Sequence, residues 1–482
     1  MAKQPMLKFV KIERDMPVKR TAEERRGDFH EIYAEYADAK AKEQSSRCSQ
    51  CGVPYCQSHC PLHNNIPDWL RLTAEGRLQE AYAISQATNT FPEICGRICP
   101  QDRLCEGNCV IEQSGHGTVT IGAVEKYITD TAWDEGWVED ITPQADRPEK
   151  IAVIGAGPGG LAAADVLRRA GCQVTVYDRY DRAGGLLTYG IPGFKLEKDI
   201  VMRRVEQLKA GGVEFVMNCD VDAAIFAKIR SENDAIIIAT GVYKSRDLEL
   251  QGSEAGGIVK AIDYLTASNR VGFGDSVAEY DSGVLNASGK KVVVIGGGDT
   301  AMDCVRTAIR QGAESVKCLY RRDKANMPGS QRETQNAEEE GVIFEWLSAP
   351  KGFVTEPGEG GAKVTGVQVQ KMRLGAPDAT GRQSPEIIEG ADYVEEADLV
   401  VKALGFEPEE LPKLWDQPEL AVTRWGTIKA EFTTGATEMP GVYAIGDIVR
   451  GASLVVWAIR DGRDCAAAVL EGFDSKAAVA AE

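Results

Sequence analysis

The stretch that decides the fold is residues 150–179, KIAVIGAGPGGLAAADVLRRAGCQVTVYDR. An apolar run, IAVIG, leads into a glycine-rich turn, and the turn leads into the helix-forming run LAAADVLRRA. Gly155, Gly157 and Gly160 have the spacing G-x-G-x-x-G, which allows a tight turn and lets a helix N-terminus approach a pyrophosphate. Asp178 ends the next apolar run, where a carboxylate can accept a hydrogen bond from a ribose hydroxyl. This unit therefore predicts a dinucleotide-binding strand, turn and helix.

A second unit of this kind occupies residues 290–323, KKVVVIGGGDTAMDCVRTAIRQGAESVKCLYRRD, and its first glycine stands 141 residues after Gly155. Ala301 takes the place of the third glycine, and two arginines stand where the first unit has its acid. Paired guanidinium groups suit a 2′-phosphate, which favours NADP over NAD, although a solvated arginine pair is the structural alternative. The residues predicted to bind this second dinucleotide are Gly296, Gly298, Asp299, Thr300, Arg321 and Arg322.

Two dissimilar dinucleotide sites in one chain suggest FAD in the first and NADPH in the second. Three later segments fit this interpretation: IIIATG with Gly241, VVKALG with Gly405, and VYAIGD with Gly446 and Asp447. The last is similar to a segment that brings an aspartate to FAD in flavoprotein reductases with two dinucleotide domains. That resemblance implies a discontinuous FAD domain. We expect an α/β protein with two Rossmann-like domains, FAD-binding at 146–250 and 430–482 and NADPH-binding at 251–429, preceded by a helical domain at 1–145.

The region before residue 145 is rich in charged and helix-forming side chains. In residues 20–44, RTAEERRGDFHEIYAEYADAKAKEQ, the side chains of Phe29, Ile32, Tyr33 and Tyr36 recur at helical spacing. The spacing predicts an amphipathic helix through these four residues.

Composition narrows the possible functions. A chain of 482 residues can bury a large core without disulfides. Its net charge of -18 would repel the phosphate backbone of nucleic acid and anionic lipid head groups, so neither nucleic acid nor membrane is an expected partner. We find no signal-peptide pattern and no apolar run long enough to span a membrane. These features predict a cytoplasmic protein with reduced thiols.

Eight of the thirteen cysteines fall between residues 48 and 109. They form two groups, C-x2-C-x4-C-x3-C-P from residue 48 and C-x3-C-P-x4-C-x3-C from residue 95. In two-cluster ferredoxins a fourth cysteine that precedes a proline commonly ligates the other cluster. By this reasoning two 4Fe-4S clusters are held by Cys48, Cys51, Cys56 and Cys109, and by Cys60, Cys99 and Cys105. The second cluster needs one more ligand, which is either Cys95 or Glu125.

Zinc is the alternative for these thiols, because eight cysteines also suit two structural sites with four thiolates each. The flavin, however, has no adjacent Cys-x-x-Cys pair to reduce, so its electrons need another carrier, and this favours iron-sulfur clusters. The remaining five cysteines stand singly, and we expect them to be small core residues. They are Cys172, Cys219, Cys304, Cys318 and Cys465.

A run of motifs in this order resembles the small (beta) subunit family of bacterial NADPH-dependent glutamate synthases. The motifs are RCSQCGVPYCQSHCPLHNNIP, FPEICGRICPQDRLCEGNC, VTIGAVEK, GAGPGGLAAA, AGGLLTYGIPGFKL, GGGDTAMDCVR, YRRDKANMPG and YAIGD. The module is also similar to the N-terminal half of dihydropyrimidine dehydrogenase and to one subunit of electron-bifurcating ferredoxin:NADP oxidoreductases. The resemblance implies that Glu125 completes the second cluster, and that Gly184, Gly185 and Leu186 contact FAD.

The resemblance also implies the activity. NADPH would give a hydride to FAD, and single electrons would pass through both clusters to FMN on a larger partner subunit, where glutamate is formed. No side chain is expected to act as an acid or base, so no catalytic residue is predicted. Two alternatives remain at this point: a subunit of an NAD(P)H:ferredoxin-type (bifurcating) oxidoreductase, and a zinc-stapled assembly subunit without catalytic activity.

Overall fold

The computed structural model describes residues 7–481 apart from 359, 380 and 382. Its first part is helical, and Trp69, Leu70, Ile121, Val124 and Ile128 fill the core of this part. The last three recur at i, i+3 and i+7 on one helix, so they share a buried face. The helices of this part are α1 (Ala22–Gly27), α2 (Asp38–Ser45), α3 (Tyr55–Ser58), α4 (Ile66–Ala74), α5 (Leu78–Thr88), α6 (Pro92–Ile98), α7 (Val110–Gln113) and α8 (Ile121–Asp134).

The segment between α1 and α2 is extended, so the predicted helix through Phe29 and Tyr36 is wrong. Helix α1 ends at Gly27, and Tyr33 forms an isolated antiparallel bridge with Lys19. The Tyr36 hydroxyl donates a hydrogen bond to the Thr120 hydroxyl oxygen at 2.9 Å. Ile32 and Tyr36 are buried, whereas Phe29 is 37% exposed, and the tertiary packing of the two buried side chains overrides helical periodicity.

Beyond residue 145 the chain alternates strands and helices. The strands are β1 (Lys150–Ile154), β2 (Gln173–Tyr177), β3 (Glu214–Val216), β4 (Ala235–Ile238), β5 (Lys244–Ser245), β6 (Ile258–Lys260), β7 (Lys291–Ile295), β8 (Ser315–Tyr320), β9 (Ile343–Trp346), β10 (Ser348–Gly358), β11 (Gly361–Pro377), β12 (Gln383–Glu396), β13 (Leu399–Lys402), β14 (Phe406–Glu407) and β15 (Val442–Ala444). The helices are α9 (Pro158–Arg169), α10 (Leu186–Tyr189), α11 (Lys198–Ala210), α12 (Ala223–Glu232), α13 (Ala261–Gly272), α14 (Ala278–Asp281), α15 (Asp299–Arg310), α16 (Gln331–Glu339), α17 (Leu411–Leu414), α18 (Asp447–Arg450) and α19 (Val455–Ala481).

Two parallel five-stranded sheets organise this part of the chain. The first has the order β15-β4-β1-β2-β3, and the second has the order β6-β13-β7-β8-β9. Strands β1, β4 and β7 are apolar along almost their whole length because helices cover both faces of a parallel sheet. The predicted fold class, α/β with two Rossmann-like units after a helical part, is confirmed. Strand β15 joins the first sheet although it follows all strands of the second.

Two antiparallel sheets complete the fold. Strands β10, β11 and β12 form a three-stranded sheet, and β5 pairs with β14 where the chain passes between the two large sheets. No helix of the described residues is both long enough and apolar enough to cross a membrane.

Candidate functional site

The first glycine turn closes tightly between β1 and α9. A Cβ atom on Gly160 would lie 2.0 Å from the Gly155 carbonyl oxygen, so glycine is needed for the helix to start this near the strand. At Gly157 an added Cβ would meet nothing within 4 Å, which leaves the turn open toward a ligand. The Asp178 carboxylate accepts hydrogen bonds from the N–H groups of Ala156 at 2.7 Å and Tyr180 at 2.9 Å. It is thus fixed beside the turn.

A cavity of about 590 Å³ opens in front of this turn. The predicted site residues that line it are Gly155, Gly157, Asp178, Leu186, Gly241, Asp299, Thr300, Gly446 and Asp447. The cavity lining does not include Gly160, Gly184 or Gly185. The Gly184 N–H donates a hydrogen bond to the carbonyl of Ala156, next to the lining glycines, at 2.8 Å. Burial raises the pKa of Asp447 to about 6. Both sheets therefore contribute to one cavity.

The second glycine turn has the same construction. A Cβ atom on Gly296 would lie 2.2 Å from the Ala403 carbonyl oxygen, whereas at Gly298 it would meet nothing within 4 Å. Arg321 is exposed at the end of β8, outside the lining of the cavity. Arg322 donates a hydrogen bond through Nη2 to Asn326 Oδ1 at 2.8 Å. The turn and the arginine pair are thus both at the carboxyl edge of the second sheet.

All thirteen cysteines are free thiols. The thiol of Cys48 lies close enough to Cys109 and Cys51 for their charges to interact, and Cys56 lies near the same three. Burial first, and then these neighbouring thiols, raise the pKa of Cys48 to about 11 and that of Cys56 to about 12. The four thiols predicted to hold the first cluster therefore lie together. Iron would supply the positive charge that stabilises them as thiolates.

A second group surrounds Glu125. Burial, with contributions from Glu125 and Cys95, raises the pKa of Cys60 to about 12. Burial raises the pKa of Cys105, and Cys60 and Glu125 also contribute to this rise. A hydrogen bond with Cys95 and then burial raise the pKa of Cys99. The second predicted ligand set is thus brought together, and Cys95 lies in it as well.

Glu125 is a buried carboxylate on α8, and burial raises its pKa to about 8. Its Oε1 accepts hydrogen bonds from Asn64 Nδ2 at 3.0 Å and from Asn89 Nδ2 at 3.4 Å. No three His, Cys, Asp or Glu side chains of the described residues converge closely enough to hold a single metal ion. The donor set of three thiols and a buried carboxylate suits a cluster, in which each ligand binds a different iron. Whether Cys95 or Glu125 completes it stays a prediction.

Several residues of the site were missed by the sequence reasoning. Met16, Pro17 and residues 31–36 line the cavity, although the apolar spacing of residues 29–36 indicated a helix. Thr240 also lines the cavity, and its buried hydroxyl has no hydrogen-bond partner among the described residues. Cys99 is part of the lining too, so the second thiol group and the first glycine turn face the same space. Cys219, expected in the core, is half-buried in this lining.

Comparisons with known proteins agree with this arrangement. Residues 25–137 match the family described as dihydropyrimidine dehydrogenase domain II, 4Fe-4S cluster. Residues 149–462 match the pyridine nucleotide-disulphide oxidoreductase family. Among solved structures, Mycobacterium tuberculosis FprA in complex with NADPH superposes with a TM-score of 0.57 at 20% identity, covering 69% of this chain and 86% of that one. That similarity establishes the fold of the two-sheet part.

Relatives of the whole chain are more informative. The glutamate synthase [NADPH] small chain of Azospirillum brasilense is 63% identical over 100% of both chains. The protein of the same name from Escherichia coli K12 is 44% identical, covering 98% of this chain and 99% of that one. Identity at this level and over this length indicates common descent of every domain. The chain therefore belongs to the glutamate synthase [NADPH] small chain family.

Proposed function

We propose that this chain is the NADPH-oxidising subunit of a glutamate synthase. It takes a hydride from NADPH and delivers electrons singly, through iron-sulfur clusters, to FMN on a larger subunit that forms glutamate. The observation that carries the proposal is the position of Cys99, which belongs to the second thiol group and also lines the cavity of the first glycine turn. A cavity for a two-electron carrier thus adjoins ligands for a one-electron carrier.

Two dinucleotides would be held by the two sheets. When bound, FAD supplies an acceptor for the hydride and a donor of single electrons. We assign FAD to 146–250 with 430–482, and NADPH to the inserted residues 251–429. The FAD contacts are Gly155, Gly157, Gly160, Asp178, Gly184, Gly185, Leu186, Gly241, Gly446 and Asp447. The NADPH contacts are Gly296, Gly298, Asp299, Thr300, Arg321 and Arg322.

Two 4Fe-4S clusters would occupy the thiol groups, one on Cys48, Cys51, Cys56 and Cys109 and one on Cys60, Cys99, Cys105 and Glu125. Cys95 and Cys99 share a hydrophobic core with β1, which supports the second cluster as the nearer one to FAD. The other group packs only into the helical core, and the side chains of Val53 and Tyr55 beside it are 65% and 46% exposed. These exposed apolar side chains favour the first cluster as the point where electrons leave for the partner.

We propose a cytoplasmic location, where cysteines stay reduced and can ligate the clusters. The test of the proposal is the iron, sulfide, flavin and zinc content of the chain purified without air, together with the identity of any large protein that accompanies it. We expect about eight iron atoms and one FAD per chain, no stoichiometric zinc, and a larger FMN-containing partner. A colourless protein with stoichiometric zinc would contradict the proposal, and a small ferredoxin-like partner would indicate the ferredoxin-type oxidoreductase instead.

A further inference from the structure

A loop of the second sheet lies across the second glycine turn. This loop, residues 323–330, connects β8 with α16 and is called the covering loop below. The Gly329 N–H donates a hydrogen bond to the Gly297 carbonyl at 2.9 Å, and the Ser330 N–H donates one to Asp299 Oδ1 at 2.9 Å. Asn326 in the same loop accepts the hydrogen bond from Arg322. The predicted phosphate-binding turn and Arg322 of the predicted arginine pair therefore both contact the covering loop.

The opposite side of the covering loop contacts the iron-sulfur region. The Arg103 guanidinium donates a hydrogen bond to the Pro328 carbonyl. Arg332, in the first turn of α16, donates one through Nη2 to Gln101 Oε1 at 2.7 Å. Arg103 and Gln101 both belong to residues 100–104, which separate Cys99 from Cys105. The loop thus joins the nucleotide turn to the segment between two predicted cluster ligands.

Gln101 is held rigidly in the frame of the second thiol group. Its side chain is buried, and Nε2 donates hydrogen bonds to the carbonyls of Cys95 at 3.3 Å and Gly96 at 3.1 Å. A Cβ atom on Gly122 would lie 2.4 Å from the same Nε2, so Gln101 also fits closely against α8, which carries Glu125. A displacement of Arg332 would therefore be transmitted through Gln101 to the elements that carry Cys95, Cys99 and Glu125.

Arg332 also brings a positive charge to this place. It lines the same cavity as Cys99, the carboxylates of Glu106 and Glu333 lie close enough for their charges to interact with it, and its Nε has no hydrogen-bond partner among the described residues. A cation near a cluster stabilises the reduced form, which carries one more negative charge, and so raises the reduction potential. Moving Arg332 away would lower that potential.

Asp299 is the residue through which a bound nucleotide can displace Arg332. Its carboxylate stands at the first residue of α15, where a bound pyrophosphate would sit, and it accepts the N–H of Ser330 just before α16. Phosphate and carboxylate repel each other, so a bound nucleotide would weaken the bond between Asp299 and Ser330. The start of α16, with Arg332, would then be released from its present position.

We propose that Arg332 is a positioning residue through which a nucleotide on the turn at residues 296–300 lowers the reduction potential of the cluster held by Cys60, Cys99 and Cys105. The inference rests on the proposed function and adds a coupling between its two sites. By linkage, NADP⁺ binds less tightly once that cluster is reduced, and the two effects are equal in free energy. A tenfold difference in NADP⁺ affinity corresponds to a fall of about 59 mV for a one-electron couple.

The test is a redox titration of the chain purified without air, followed by the electron paramagnetic resonance of the reduced clusters, with and without saturating NADP⁺. We expect the midpoint potential of one cluster to fall by about 59 mV, which corresponds to a tenfold difference in NADP⁺ affinity. The midpoint potential of the other cluster should stay unchanged. A titration in which NADP⁺ binds but neither midpoint moves would overturn the inference and leave the proposed function intact. Absence of any cluster signal would instead refute the proposed function.

Two variants and a control locate the coupling. Arg332→Gln should start from a lower midpoint and lose most of the response to NADP⁺. Ser330→Pro removes the N–H that Asp299 accepts and fits the backbone, since φ of Ser330 is -59°, so it should lose the response with Arg332 still present. Lys324→Gln changes an exposed covering-loop residue that pairs with Glu338, and it should respond like the wild type. A full response in both Arg332→Gln and Ser330→Pro would be incompatible with the inference.

Discussion

A buried ion pair joins α6, which carries Cys95, to α11 of the first-sheet part, and its removal should be costly. Glu93 of α6 accepts two hydrogen bonds from Arg204 of α11, from Nε and Nη2 at 2.8 Å each. The side chains are 0% and 3% exposed. In Glu93→Gln the guanidinium would stay buried without the Glu93 counter-charge, and its Nη1 would keep the hydrogen bond to Gln207 Oε1 at 2.7 Å. Breaking one side of such a pair costs roughly 3–5 kcal/mol.

The assay is urea unfolding of the intact chain, followed by loss of the visible absorbance of its cofactors. Glu93→Leu combined with Arg204→Met should recover most of the loss, because replacing both partners by apolar side chains removes the buried charges together. Lys209→Gln is the matched control on the same helix; its pair with Glu206 is exposed, so its effect should stay within about 0.5 kcal/mol. The reasoning is refuted if Glu93→Gln costs less than about 1 kcal/mol, or if the double variant is as unstable as the two single losses added together.

Three further outcomes are expected. Arg321→Ala with Arg322→Ala should raise KM for NADPH by roughly 10- to 100-fold and leave KM for NADH unchanged. The reason is that only NADPH carries the 2′-phosphate that charge-assisted hydrogen bonds would hold. An equal rise of both KM values in steady-state assays would speak against this role. Gly160→Ala should yield a protein without bound FAD, because the new methyl group would lie 2.0 Å from a carbonyl oxygen. Flavin fluorescence after denaturation measures the FAD content. A normal flavin content would contradict the assignment of the turn. Cys99→Ser should lose one paramagnetic cluster signal. Cys465 is buried and lies far from the thiol groups in sequence, so Cys465→Ser should keep both signals. Two intact signals in Cys99→Ser would remove Cys99 from the ligand set.

Residues 25–31, at the end of α1 and in the extended segment that follows it, contact separate parts of the molecule. Arg25 is buried and donates hydrogen bonds to Glu340 at 3.1 Å and Glu339 at 2.8 Å on the second-sheet side. Glu31 accepts a hydrogen bond from Arg97 on α6 at 2.6 Å. Phe29 packs against Phe194 with ring centroids 6.3 Å apart. These residues thus contact the helical part, the first-sheet part and the second-sheet part of the molecule.

The amino-acid sequence by itself determined the fold class and the chemical groups of the site. A strand, a glycine turn and a helix are local features, and the spacing of Gly155, Gly157 and Gly160 is sufficient to predict them because the turn is made within six residues. Spacing also predicted how seven of the eight clustered cysteines divide between two clusters; this division stays a prediction, and the structure places the thiols of each set near one another. For the same reason the arginine pair after β8 could be recognised without any knowledge of tertiary contacts.

Only the tertiary structure decided how these parts face one another. The spacing of Phe29 and Tyr36 is helical, yet their segment is extended, because the tertiary packing of its buried side chains, Ile32 and Tyr36, outweighs the small free energy of helix propensity. The surroundings of Glu125, with Asn64 and Asn89 on its carboxylate, depend on residues far apart in the chain. The contact of Arg332 with Gln101 spans 231 positions. No periodicity reports such contacts, since they are fixed by how separately folded units pack against each other.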